Sequence, residues 1–200
     1  MYQIKVSDRI LFLLTALVAG IKIVNGMDHH TVLSIWFYTV SLGILVLASL
    51  LLLLFGYELL SNRFVPVVTT LIPTALSIGL VHDHLPQMTL SYGVLLGVIY
   101  LISVWVRFTA TEKTAALVLA LTHGISGLLV FVLPIVLYSS YGEPVRLLFV
   151  SLGGVIIGSE GIVLTLQKIG FRKVKIETIF AWFSIMLFAA TVAFVGGLSS

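Results

Sequence analysis

The sequence predicts an all-α integral membrane protein: a seven-transmembrane-helix bundle with a cytoplasmic N-terminus and its C-terminus outside. Three observations predict it. Of 200 residues, 60% are apolar and only 10% are charged, against about 25% charged in an average soluble domain. A chain of that make-up cannot clothe the surface of a soluble globule. Seven segments approach the roughly 20 apolar residues needed to cross about 30 Å of hydrocarbon. Basic residues then alternate from one break to the next. Residues 1–200 read as one transmembrane helical domain.

The spans run Ile10–Gly26, Val32–Tyr57, Phe64–Val81, Met88–Val106, Thr114–Tyr138, Val145–Leu166 and Ile176–Leu198. The first opens after Lys5 and Arg9 and stops at Asn25-Gly26-Met27-Asp28, which carries turn chemistry. The second is almost wholly Leu, Val and Ile and ends before Ser61-Asn62-Arg63. The third contains Pro73 and stops at Asp83-His84-Leu85-Pro86. The fourth ends at Arg107, ahead of Glu112-Lys113, and the fifth contains Pro134 and ends at Tyr141-Gly142-Glu143-Pro144. The sixth is glycine-rich and precedes Gly170-Phe171-Arg172-Lys173, and the seventh follows Lys175. Connections this short make consecutive helices antiparallel neighbours.

Orientation follows from charge. One set of flanks holds Lys5, Arg9, Arg63, Arg107, Lys113, Lys168, Arg172, Lys173 and Lys175, and the other only Lys22 and Arg146. The richer set belongs on the cytoplasmic side. The first segment also resembles a signal peptide, with Lys5 and Arg9 before an apolar run and small residues near Gly26; its removal would leave six spans. Two short matches, Ala16-Leu17 with Gly20-Ile21 against Ala120-Leu121 with Gly124-Ile125, and Val40-Ser41-Leu42-Gly43 against Val150-Ser151-Leu152-Gly153, fit a 3+1+3 parallel repeat.

Several functions are excluded. There is no cysteine, which removes disulfides, thiolate metal sites, iron–sulfur clusters and cysteine catalysis. No phosphate-binding loop, His-Glu-x-x-His motif or nucleophile elbow is present. The expected partners are the lipid bilayer and either other membrane subunits or further copies in a homo-oligomer, with no nucleic acid.

The informative residues are polar ones standing where they cost energy. Glu160 lies inside the sixth span, where an ionisable side chain faces the bundle or a water-filled cavity. Gly154, Gly158 and Gly161 around it follow the small-residue spacing of close helix packing. His123 lies at similar depth in the fifth span, so the two form a candidate titratable pair. Thr70, Thr74 and Ser77 share one face of the third span beside Pro73 and are candidates to line a polar path. His29, His30, His82, Asp83 and His84 gather at the outer side and are candidate ligands for haem or a divalent metal, or an external pH sensor. Trp36, Tyr38, Tyr138 and Tyr141, with Tyr57 and Trp105 at the other side, read as interfacial anchors.

Three functions compete. The first is a small transporter or channel, proton-linked through Glu160 and His123. The second is a haem- or metal-binding redox subunit using the outer histidines. The third is a scaffold or accessory subunit of a larger membrane complex.

Overall fold

The computed structural model describes residues 4–168 and 176–199. Among them are seven α-helices: α1 (Val6–Asn25), α2 (Val32–Phe55), α3 (Phe64–His84), α4 (Thr89–Thr109), α5 (Glu112–Tyr141), α6 (Leu148–Lys168) and α7 (Ile176–Gly197). The described residues include no strand. Each helix coincides with one apolar segment of the sequence. The basic turn around Gly170, Arg172, Lys173 and Lys175 lies outside the described residues. Six helices, α2 to α7, are long and apolar enough to cross a membrane, as those of a multi-pass membrane protein are. α1 is the exception, because any 18-residue stretch of it contains Asp8, Arg9 and Lys22.

Local chemistry sets the helix ends. Thr31 and Thr111 cap α2 and α5 by accepting from the N–H groups of Ser34 and Thr114, at 3.3 and 3.4 Å. Gly142 adopts a left-handed φ of 71° and closes α5. Gly56, with φ 66°, ends α2 and starts a 3₁₀ turn, Gly56–Ser61. The end of the second predicted span, Gly56 and Tyr57, therefore belongs to that turn. Pro144 precedes another 3₁₀ turn, Val145–Leu147, so the sixth helix begins at Leu148 and not at Val145. Pro73 and Pro134 both lie inside continuous helices.

Six helices pack in a ring: α1 on α2, α2 on α3, α3 on α5, α5 on α6, α6 on α7 and α7 back on α1. α4 stands outside it, against α3 and α5. Few of its residues are buried, and hydroxyls attach it: Tyr92 donates to Ser77 Oγ at 3.0 Å, Tyr100 to the Val67 carbonyl at 3.3 Å, and Ser103 pairs with Thr122. In the chain, α4 separates α1, α2 and α3 from α5, α6 and α7. The matched serines nevertheless act differently: Ser41 donates forward to the Ile72 carbonyl of α3, and Ser151 backward to the Phe131 carbonyl of α5.

The exterior is apolar, and the largely apolar interior also holds polar side chains. Large apolar side chains such as Leu54, Leu90, Leu101, Leu121 and Ile162 face outward, while Ser34, Thr74, Ser77, Ser126 and Thr191 are buried. Most buried hydroxyls donate to carbonyls three or four residues earlier in their own helix. Asp8 is the costly member. It accepts from the Lys5 N–H at 3.0 Å and the Ser184 hydroxyl at 2.8 Å, tying the start of α1 to α7.

Glycines decide how closely α6 approaches its neighbours. A Cβ on Gly153 would stand 2.6 Å from the Phe194 ring and 3.0 Å from the Ala190 carbonyl, both in α7. On Gly154 it would meet Val130 of α5 at 3.1 Å. One turn on, Gly158 has nothing within 4 Å. Gly153→Leu should therefore cost about 1–3 kcal/mol by overpacking, lowering the thermal midpoint in detergent micelles, while Gly158→Ala leaves it unchanged or raises it. Equal midpoints for the two variants would show that α6 and α7 do not approach this closely.

Candidate functional site

The half of α6 that stands off from its neighbours borders a cavity of about 800 Å³. α2, α3, α5, α6 and α7 line it, together with the Gly56–Ser61 turn and Arg107 of α4. It lies toward the end of the bundle that carries Arg63 and Arg107, here the basic end, and reaches as far as Ile72, Phe131 and Gly154. Its walls are mostly Leu, Val, Ile, Phe, Ala and Gly.

Away from the basic end, two titratable side chains interrupt that surface. Glu160 is only 7% exposed, and its Oε1 has no hydrogen-bond partner among the described residues. His123 Nε2 is likewise buried without a partner. The α5–α6 contact brings both to one cavity wall. A Cβ on Gly161 would lie 3.6 Å from His123 Nε2, so the imidazole lies against the residue that follows Glu160. The two side chains share the cavity without a hydrogen bond between them. A buried polar atom without a partner costs about 1–3 kcal/mol, so these two atoms are the costly ones in the cavity wall.

At the basic end, Glu112 receives Arg107 Nη1 at 2.9 Å and Arg63 Nε at 3.3 Å. Arg107 Nε also donates to the Arg63 carbonyl at 3.2 Å. This cluster joins α3, α4 and α5 and borders the cavity. In the sequence the two arginines were legible only as orientation charges and Glu112 only as part of a break between spans. The signal available was that each opens or closes a helix, which places all three at one end.

Other sequence candidates divide. Gly154, Gly158, Gly161 and Thr70 line the cavity. Gly154 packs closely on α5, whereas Gly158 makes no close contact and is cavity wall. Thr74 and Ser77 are buried away from the cavity, and their hydroxyls donate to the carbonyls of Thr70 and Thr74 at 2.8 Å. Thr70, Thr74 and Ser77 therefore form no continuous hydroxyl stripe along it.

The opposite end of the bundle, the histidine end, is built around Asp83. Its carboxylate receives Tyr38 OH at 2.8 Å, Thr31 Oγ1 at 3.2 Å and the Thr31 N–H at 3.4 Å, and it pairs with His30 Nδ1 at 2.6 Å. His30 Nε2 faces the Leu198 carbonyl at 3.4 Å. The histidines then disperse. His82 pairs with Thr89 at 3.1 Å, His84 with Glu143 at 3.6 Å, and His29 is exposed. α3 stays helical through His84, so His82 and His84 point about 200° apart. Among the described residues, no three His, Cys, Asp or Glu side chains form a group able to hold a metal ion. Two expected anchors are also interior: Tyr38 is fully buried on Asp83, and Tyr57 is buried and stacked on Phe180.

Comparison with protein-family models, with curated proteins and with solved structures finds no match to this chain.

Asp83 gathers donors from the α1–α2 connection and α2. Asp83→Asn turns one acceptor oxygen into a donor facing donors. It should destabilise the protein by about 1–3 kcal/mol, read as a lower thermal midpoint in detergent. A mutant melting with the wild type would show that these bonds contribute nothing to stability.

Proposed function

We propose that this chain is a small proton-linked membrane carrier of seven spans, with its N-terminus cytoplasmic and its C-terminus outside. One observation carries the reading. A large cavity between α2, α3, α5, α6 and α7 holds two titratable side chains, Glu160 and His123, whose Oε1 and Nε2 atoms are buried with no partner among the described residues. An intramembrane ionisable residue that faces a cavity marks a substrate or proton path more often than a packing contact. A pure scaffold has no need of an unfilled cavity at such a residue. The carrier form is favoured over a channel because the cavity-lining residues stop at mid-bundle, while Asp83 and its donors bind the histidine end together. Glu160 is the group that gains and loses the proton, and His123 is its neighbour on the route.

Two measurements test this. Reconstituted into vesicles holding a pH-sensitive dye, the protein should carry protons down an imposed gradient, and Glu160→Gln should reduce the rate at least about tenfold. Undiminished flux in that variant would remove Glu160 from the mechanism. For orientation, the absence of cysteine is an advantage. A cysteine at Asp28 should react in intact cells with a membrane-impermeant maleimide, and one at Lys113 should react only after permeabilisation. The reverse pattern would invert the topology.

A further inference from the structure

The carrier reading leaves open what the cavity accepts, and the surroundings of Glu160 narrow the answer. A carboxylate in an apolar site requires a cationic partner. Among the described residues that line the cavity, none is free to supply one. The charged side chains that face it are Arg63 at the start of α3, Arg107 from α4, and Glu112 of α5. Both arginines are bound to Glu112 at the basic end. The described cavity-lining residues of α2 and α7 include no titratable side chain, and α5 adds only His123 to Glu112. Among the described residues, then, nothing answers an ionised Glu160, and a cation that enters the cavity would.

From this geometry we infer that the cavity binds an apolar primary ammonium ion, with Glu160 as its counter-ion and His123 Nε2 as a second acceptor. The inference rests on the carrier reading and names its cargo. A primary ammonium group has three N–H donors, enough to serve both orphaned atoms, which a quaternary ammonium has no N–H to do. Phe131, Phe183, Leu45, Leu52, Ile157 and Leu187 offer the hydrocarbon part an apolar and aromatic surface. A volume of about 800 Å³ lies within the roughly 300–1,000 Å³ range of small-molecule sites. A proton and an ammonium ion neutralise the same carboxylate, so they exclude each other. The exchange balances: the neutral Glu160 carboxylic acid and a free alkylammonium ion give the carboxylate–alkylammonium ion pair and one released proton.

The test uses the full chain in lipid nanodiscs and three probes of matched shape: 1-naphthylmethylamine, its trimethylammonium analogue and 1-naphthylacetate. The amine should bind, releasing protons into weakly buffered solution, and should bind more weakly as the pH falls. Its affinity should drop at least about tenfold in Glu160→Gln, the loss of one charge-assisted hydrogen bond. It should drop less in His123→Leu, and the trimethylammonium probe should be insensitive to that change. Gly158→Leu, which fills open cavity wall while keeping the carboxyl, should block the amine as well, and so carries the test if Glu160→Gln does not fold. Amine affinity unchanged in Glu160→Gln overturns the inference. So does tight binding of naphthylacetate that is lost in Arg63→Gln, which would mark an anion site, and so does the failure of all three probes to bind. Proton flux that needs Glu160 while the amine does not would overturn this inference alone, and amine binding through Glu160 without proton flux would overturn the carrier reading alone.

Discussion

Polar groups inside a bundle with an apolar exterior have no water to turn to, and every other feature of this structure follows from how they are satisfied. The buried serines and threonines mostly donate to carbonyls of their own helices, which places a small polar side chain inside at little cost. The carboxylates cannot do this. Asp8 finds Ser184, and Asp83 collects His30, Thr31 and Tyr38, so each costly charge becomes a tie between helices. Arg107 is only 5% exposed, and it is held by Glu112 and the Arg63 carbonyl. Against that background Glu160 and His123 stand out. Among the described residues, their Oε1 and Nε2 atoms are buried without a partner and border one cavity.

The cavity itself has a packing origin. α6 approaches α5 and α7 at Gly153 and Gly154, where added atoms would collide. Farther along, Gly158 on α6 and Gly124 and Gly127 on α5 also lack side chains, but nothing from a neighbour fills the space. The same residue type thus closes one half of the ring and opens the other. An enclosed, dry void of about 800 Å³ would cost on the order of 20 kcal/mol at about 24 cal/mol per Å³, more than the stability of a typical domain. The space is therefore one that water, lipid or cargo occupies.

Much of this was legible in the sequence, and the rest was not, for physical reasons. Helix positions came from length and hydropathy, because a span is a one-dimensional property of the chain. Glu160 and His123 drew notice because they are expensive where they stand. Their depth followed from counting residues along antiparallel helices, but helix rotation is set by packing across the bundle. That is why Thr74 and Ser77 proved to be packed away from the cavity and Tyr38 to be interior. Ser184 lies 176 residues from Asp8, and nothing local in either helix announces the other. The arrangement of the histidines was illegible for a similar reason. Four of them fall at one end, but a continuous helix through His84 turns His82 and His84 apart.

The Asp83 cluster also bears on how a carrier with this ring would open toward the histidine end. To do so it must separate α2 and α3 there, and Asp83 and its donors are what join them. His30 adds a condition. Its Nδ1 faces the Asp83 carboxylate and its Nε2 faces the Leu198 carbonyl of the segment just past α7. Opening that end must therefore also part His30 from α3 or from the segment just past α7.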